Sequence, residues 1–446
     1  MLESREMYRL DLSADELISR LLEISKSEPI CILDSCGVGH LGSHLMIAGV
    51  RPTEVHEITN DDPDESSAFL DAKLTGEKAA IFTLSYDLGL KFERISSRNR
   101  ETKEPDVFLA LFDALIVHDY DTGETYLTGD RSVIEDVKGL LCTVPSETVQ
   151  GGTPSATVTS NFTKNAYLKA IDEIKERIRQ GNTYQTNLTQ RLTVTIPPGT
   201  SPQTIFHNLR RDHPAPFAAF LQRNKATVIS ASPERFFRVK GDSITTSPIK
   251  GTRPRGKTAV EDAELRNDLL HSEKDIAENT MIVDLLRNDL GRVCEYGSVH
   301  VEKLCDLEEH PTLFHLVSTI SGKLRNQTKF SEILKALFPC GSITGAPKIS
   351  TMRIIDEIEL DRRGLSMGAI GTYVPSFGFR ISGSDQDPES DIPTLDLSVA
   401  IRTMVIRDNE AVFNVGGGIV IDSDPESEYE ESWLKAMALL NAIGVA

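Results

Sequence analysis

The sequence predicts an α+β fold, and three observations predict it. Stretches rich in β-branched and alternating residues are interleaved with stretches of helical periodicity, they do not follow the strict strand-helix-strand order of a parallel sheet, and no fixed-period repeat is visible. The chain of 446 residues, 39% hydrophobic and 26% charged, is long enough for one large body or two to three domains and apolar enough for a sizeable core.

The elements follow in order. Strand-like pieces such as 30–33 and 107–117 alternate with acidic loops, and the Ser/Thr/Gly/Pro-rich run 145–160 reads as a linker between an N-terminal region, 1–150, and a C-terminal region, 161–446. Tyr167, Leu168, Ile171, Ile174 and Ile178 recur at helical spacing and Gly181 follows as a stop, which predicts a helix over 165–178. Strands are predicted at 183–196, 226–231, 235–239, 396–406 and 411–415, the last two joined as a hairpin by Arg407-Asp408-Asn409-Glu410. Helices are predicted at 263–288, 329–337, 348–360 and 428–442, and a second polar loop at 382–393.

Composition excludes several function classes. Lys plus Arg total 48 against 67 for Asp plus Glu, a formal net charge of −19, so the surface repels polyanions and nucleic acid is not an expected partner. The six cysteines are scattered without a C-x-x-C pair, which predicts reduced thiols rather than a disulfide framework or zinc site. The opening segment is too acidic and polar for a signal peptide, and no apolar run approaches the ~18 residues of a spanning helix. The expectation is a cytoplasmic protein that does not enter membranes.

Some residues break the pattern of their own element. Glu278 is followed by Met281, Ile282 and Leu285, which places a carboxylate on an apolar helical stripe. There it must be protonated, paired with a cation such as Lys274, or bound to a hard divalent ion such as Mg²⁺. The last helix opens with Glu426, Glu428, Glu430 and Glu431, ordinary complements to a helix dipole, and projection onto Trp433, Leu434 and Met437 selects Glu430 as the inward one.

The run Pro248-Ile249-Lys250-Gly251-Thr252-Arg253-Pro254-Arg255-Gly256 places three cations in a rigid turn. It reads either as a basic surface loop or as an anion site whose Lys250, if partly desolvated, acts as nucleophile or base. On 395–405 the alternation puts Arg402 opposite Leu395, Leu397, Val399 and Ile401. Gly416-Gly417-Gly418 inside a strand marks a bulge or a close approach to a ligand, and Gly341–Lys348 leads into a helix start that suits an anion.

Together, GNTYQTNLTQR, SPERFF, PIKGTRPRG, AENTMIVDLLRNDLGRV, GSITGAPK, AIRTMVI, VGGGIV and ESEYEES resemble the chorismate-utilising enzymes, over roughly residue 161 to 446. The resemblance implies two stacked, mainly antiparallel β-sheets surrounded by helices, with Mg²⁺ and chorismate bound between them. It assigns the metal to Glu278, Glu431 and, nearby, Glu428, against the projection onto Glu430. The motif is preferred, because a helix start is uncertain by a residue or two.

The resemblance further implies that Glu234 is an acid or base at the C4 oxygen, that His315 handles the ring or the enolpyruvyl side chain, and that Arg402 with the amides of Gly416, Gly417 and Gly418 holds the enolpyruvyl carboxylate. Gln185, Thr252, Thr344, Gly345 and Lys348 complete the substrate contacts. Where water-adding members carry a lysine, this chain has Gln185. Lys250 matches members that aminate chorismate at C4 through a covalent lysine adduct at C2, whereas members that aminate C2 with loss of pyruvate typically have alanine. A catalytically inactive chorismate-binding subunit is the remaining alternative.

Ammonia is then expected from a separate glutamine amidotransferase subunit. Ser35–His40 is similar to a nucleophile turn but lacks the preceding glycine and the histidine–glutamate pair, and no further C-terminal domain is expected. Ile32-Leu33-Asp34-Ser35 resembles the element that lines a tryptophan pocket in related enzymes, with Asp in place of Glu, and Ser366 stands where the family usually has an aromatic.

Overall fold

The computed structural model describes residues 5–39, 44–143, 156–309, 313–375 and 392–445. Most of the expected linker 145–160 and of the polar loop 382–393 lies outside these residues, as do His40 and His310.

Two antiparallel sheets form the centre. The first has 12 strands and the second 10 among the described residues. N-terminal and C-terminal segments pair in both. In the first sheet Ile30–Asp34 lies against Phe217–Gln222, with Asp34 opposite Ala218. In the second, Ala79–Leu84 lies against Ala369–Val374, with Leu84 opposite Ala369. The region before residue 150 therefore completes the same sheets that carry the C-terminal motifs.

Side chains from both sheets fill the layer between them, with Cys31, Ile47, Ala219 and Val228 from the first meeting Ile81, Phe108, Ala110 and Ile370 from the second. Helices cover the outer faces. Ala14–Ile24, Pro202–Asp212 and Pro425–Ile443 pack on the first sheet, and Glu273–Gly291 and Phe330–Leu337 on the second. This is the expected α+β sandwich. All six cysteines are unpaired. Among the described residues no helix is long and apolar enough to cross a membrane.

Most elements follow the sequence pattern. The helix over 165–178 is Lys164–Arg179, started by Thr163, whose side chain accepts a hydrogen bond from the Ala166 N–H. The expected hairpin pairs Arg407 with Glu410, and Asp408 and Asn409 both have positive φ, as such a two-residue turn requires. Two expectations need correction. The helix over 263–288 is two helices, Ala259–Leu270 and Glu273–Gly291, because Ser272 caps the second by accepting from the Asp275 N–H. The strand over 396–406 is also two: Thr394–Val399 belongs to the second sheet and Thr403–Arg407 to the first. Between them Ala400, Ile401 and Arg402 carry the chain from one sheet to the other, with Arg402 at φ 47°.

Candidate active site

Lys250 is the cation around which the acidic candidates gather. It lies near the start of the strand Ile249–Pro254, which pairs with Leu313–Lys323 through a register shift between Lys250 and Thr252. Gly251 makes that irregularity with φ 81°, in the left-handed region that glycine favours, and a Cβ there would lie 2.8 Å from Leu269. The half-buried Lys250 ammonium donates one hydrogen bond, to the Ser342 carbonyl at 3.3 Å, and forms no ion pair among the described residues.

Glu234 lies beside it, only 4% exposed. Burial pushes its carboxyl up to about 7, opposed by a hydrogen bond from the Ser342 side chain, by the charge of Lys250 and by the Ile249 N–H. One of its oxygens, Oε1, has no hydrogen-bond partner. A carboxyl in this state exchanges its proton near neutral pH, as a general acid or base must.

The other carboxylates come from two helices. On Glu273–Gly291 the fully inward positions are Asn279, Ile282, Val283, Leu286, Asp289 and Leu290, which leaves Glu278 half-buried at the edge of the stripe. Burial raises its pKa, Lys250 and Lys274 oppose the rise, and the charges of Asp275 and Glu428 add to it. On Pro425–Ile443, Glu428 is buried, accepts a hydrogen bond from Ser423 Oγ at 2.7 Å, and lies 3.7 Å from the Lys274 ammonium. Glu431 pairs with Lys435 at 2.7 Å. Burial opposes its ionisation, but Lys435, with Lys274 and Lys250 behind it, holds its carboxyl below the usual range. Glu430, which projection selected as the inward carboxylate, is exposed, and so is Glu431; Glu428 is the buried carboxylate of this helix's opening turns.

The glycine run lies against these groups on the strand Glu410–Ile419, beside Gln185–Thr195. A Cβ on Gly416 would come within 1.8 Å of the Leu188 carbonyl and one on Gly418 within 2.1 Å of Gln185 Nε2. On the opposite face, a Cβ on Gly417 would lie 3.2 Å from Glu428 and 3.5 Å from the Lys435 ammonium. The strand Thr403–Arg407 covers only the first residues of this strand, through Val412. Gln185 is fully buried with both side-chain amide atoms unpartnered. Arg402 is half-buried with no ion pair among the described residues, and burial lowers its pKa, so it lacks the counter-charge that an anion would supply. His315 is buried opposite Thr252, with Nδ1 2.8 Å from Thr252 Oγ1.

The model of the chorismate binding enzyme family matches residues 50–441. The chain belongs to this family. The match begins well before residue 161, where the motifs start, consistent with sheets built from both regions. Aminodeoxychorismate synthase component 1 of Bacillus subtilis (strain 168) is 36% identical over 377 residues, 82% of this chain and 76% of that protein. Anthranilate synthase component 1 of Aquifex aeolicus (strain VF5) is also 36% identical, over 380 residues, 81% of this chain and 73% of that protein. Among solved structures, anthranilate synthase component I from Streptococcus pneumoniae TIGR4 has a TM-score of 0.72 at 26% identity, with 98% of this chain and 93% of that one covered. Equal identity to two activities leaves the choice between them to the residues of the site.

Not every residue expected in this chorismate-binding enzyme's site is free to act there. Lys348 is a correction: its ammonium is buried, 2.6 Å from Asp289 and donating to the Leu337 carbonyl at 2.7 Å, so its charge is already neutralised. Thr344 is a second correction, because its hydroxyl turns back on its own turn and donates to the Cys340 carbonyl at 3.0 Å. Gly345 is backbone architecture, with φ 140° and the Gln185 carbonyl 2.0 Å from where a Cβ would stand.

Lys435 and Ser342, absent from the sequence expectations, both enter the site. Lys435 reads in sequence as an ordinary i,i+4 partner of Glu431, yet its ammonium also donates to the Gly416 carbonyl at 3.1 Å. Ser366 is buried, and its hydroxyl oxygen accepts a hydrogen bond from the Asn414 N–H at 3.1 Å.

Ser35 belongs elsewhere. It lines a cavity of about 90 Å³ between the sheets, together with Asp34, Arg238, Phe217, Thr372 and Asp396 and with none of the catalytic candidates. Ser35 Oγ and Arg238 Nε have no partner there. The Asp34 carboxylate is taken: it is 2.7 Å from Arg210 and accepts from the Tyr120 hydroxyl at 2.7 Å and the Cys36 N–H at 2.8 Å.

Among the described residues no three His, Cys, Asp or Glu side chains converge closely enough, as they stand, to hold a metal ion. The donors at Glu278, Glu428 and Glu431 are nevertheless all carboxylate oxygens, the kind a hard divalent ion takes. The mutual repulsion between Glu278 and Glu428 is a load that such an ion would relieve.

Proposed function

We propose that this chorismate-binding enzyme aminates chorismate at C4 to give 4-amino-4-deoxychorismate, in the cytoplasm, with ammonia from a separate glutamine amidotransferase subunit. The observation that carries this reading is Lys250, an amine among Glu234, Glu278 and Glu431 that is committed to none of them by an ion pair. A nucleophilic amine must be near its substrate and able to lose its proton, which a close ion pair to a carboxylate opposes.

In the proposed reaction Lys250 first gives up an ammonium proton, its free amine forms a bond to ring carbon C2, the ring double bonds shift, and the C4–O bond breaks. The hydroxyl leaves as water with the proton supplied by Glu234. Ammonia then attacks C4, the double bonds shift back, and the C2–N bond to Lys250 breaks. The enolpyruvyl group is untouched, so no pyruvate is released, and a separate lyase would be needed to make 4-aminobenzoate for folate synthesis.

Glu278, Glu428 and Glu431 would hold Mg²⁺, which when bound supplies a Lewis acid at the ring carboxylate. Arg402 and the backbone of Gly416–Gly418 hold the enolpyruvyl carboxylate. His315, fixed by Thr252, faces the ring or its side chain. Gln185 is an amide that cannot serve as a base, which disfavours addition of water at C2.

Amination at C2 with pyruvate loss is the second reading, favoured by the equal identity to an anthranilate synthase component, but it leaves Lys250 without a role. The decisive test treats the enzyme with chorismate and Mg²⁺ without ammonia and digests it for mass spectrometry. Chorismate less water, attached to the Lys250 peptide and absent in Lys250→Ala, supports the reading; an unmodified peptide with undiminished turnover by Lys250→Ala refutes it.

The Ser35 cavity is proposed as a separate regulatory pocket, with tryptophan the ligand to test by calorimetry. Because Asp34 is spent on Arg210 and Tyr120, binding should be weak.

A further inference from the structure

Arg363 is a buried cation that the proposed reaction does not use. Its Nε and Nη2 donate to the two carboxylate oxygens of Glu359 at 3.0 and 2.7 Å, and its guanidinium carbon lies 4.7 Å from the centre of the Tyr86 ring. A buried ion pair is a poor way to gain stability, because apolar side chains of the same volume often do as well. What an arginine adds is a planar fork of donors, with some left over for partners beyond the carboxylate.

Those donors go to backbone carbonyls on two different segments. Nη1 bonds the Ile343 carbonyl at 3.0 Å, and Nη2 also bonds the Asn187 carbonyl at 2.6 Å. Asn187 lies on the strand Gln185–Thr195, its side-chain amide donates to the same Ile343 carbonyl at 2.9 Å, and its N–H donates to the Thr344 carbonyl at 2.8 Å. Glu359 is tied to that strand as well, accepting from the Thr189 N–H at 2.8 Å and hydroxyl at 2.9 Å. Behind the arginine, the Gly364 carbonyl accepts from the Tyr86 N–H at 2.7 Å and the Ser85 hydroxyl at 2.9 Å, so the N-terminal region anchors this segment too. Two side chains thus grip the last carbonyl of the turn Gly341–Ile343. The carbonyl just before it, that of Ser342, accepts the hydrogen bond of the Lys250 ammonium at 3.3 Å.

We propose that Arg363 is a positioning residue for Lys250: with Asn187 it fixes the turn against the strand Gln185–Thr195, and the Ser342 carbonyl held in that turn aims the amine. The kinetic part of this rests on the amination reading; the contact itself does not. Releasing the turn makes the amine more mobile, so a small reagent reaches it more easily while attack on one ring carbon is aligned less often. Accessibility and catalysis then move in opposite directions.

The test compares Arg363→Lys, which keeps a cation for Glu359 but cannot span both carbonyls, with Asn187→Leu, which removes the second bond to Ile343 without leaving a buried charge. Should Arg363→Lys fail to fold, Asn187→Leu carries the same comparison. Trace labelling of the full chain with acetic anhydride, read lysine by lysine by peptide mass spectrometry, needs no substrate. Lys250 should be acetylated about 3-fold faster or more in the variants, whereas Lys348, buried against Asp289, should label as in wild type. With chorismate and Mg²⁺ but no ammonia, the Lys250 adduct should form roughly 10- to 100-fold more slowly, at an unchanged half-saturating chorismate concentration. Lys250 labelling at the wild-type rate overturns the proposal, and so does faster labelling of Lys348 alongside it, the mark of general loosening. A slower adduct matched by an equal loss of chorismate affinity overturns it too. A wild-type enzyme that forms no adduct refutes the amination reading instead, and the labelling of Lys250 then decides the contact alone.

Discussion

Replacement of Glu234 by glutamine should stabilise the protein in a pH-dependent way. The folded-state carboxyl is raised from 4.5 to about 7 by burial. A carboxyl raised on folding binds its proton more tightly in the native state than in the unfolded one. Between the two values the unfolded state binds fewer protons, so stability falls as pH rises from 4.5 through about 7. The difference of about 2.5 pH units corresponds, at about 1.36 kcal/mol each, to a loss of about 3 kcal/mol that is complete above pH 7 and absent below 4.5. Glutamine keeps the shape and cannot ionise. Urea denaturation at pH 5 and pH 8 should therefore show Glu234→Gln gaining on wild type by about 2.5 kcal/mol between the two conditions, since part of the loss is already present at pH 5. A stability difference between the proteins that does not change with pH would refute the burial-driven shift and, with it, Glu234 as an acid poised near neutrality.

Other expectations follow from the same geometry. Glu278→Gln and Glu431→Gln should each weaken Mg²⁺ binding, measured by titration calorimetry, by 10-fold or more; affinity equal to wild type in both would remove the metal from these residues, the factor being on the order of what loss of a supporting ligand costs. Lys348→Met should destabilise the fold by about 3–5 kcal/mol in chemical denaturation, because Asp289 is left buried and unpaired; a loss confined to chorismate KM with unchanged stability would restore it as a substrate ligand. Gly418→Ala should reduce amination severely, since a Cβ would stand 2.1 Å from Gln185 Nε2; steady-state kinetics at wild-type level would show that Gln185 moves aside freely.

The sandwich and most of its elements were legible because local signals suffice for them: the Thr163 cap, the helical spacing after Tyr167 and the Asp408-Asn409 turn are all written in neighbouring residues. The break at Ala400–Arg402 was not, because 396–406 is a continuous β pattern and only the second sheet's position makes the chain cross over. Lys348 was misread for a similar reason. Its partner Asp289 is distant in sequence, and a lysine at a helix start looks free until the tertiary fold neutralises it. Projection selected Glu430 where the fold buries Glu428, because the helix begins at Pro425 and small changes in a helix's first turn rotate which carboxylate faces in. Lys250 and Glu278 were found because each violates its surroundings, a cation in a rigid turn and an acid among apolar neighbours, whereas Glu234 came only with the resemblance of SPERFF. Lys435 and Ser342 violate nothing locally and acquire their meaning only from what the fold places beside them.

The central claim is tested most directly by the products. The purified chain is incubated with chorismate, Mg²⁺ and ammonium, free pyruvate is measured, and the ring product is identified by chromatography and mass spectrometry. The account predicts 4-amino-4-deoxychorismate with no pyruvate, converting to 4-aminobenzoate only when a lyase is added. Anthranilate accompanied by an equal amount of pyruvate would contradict it.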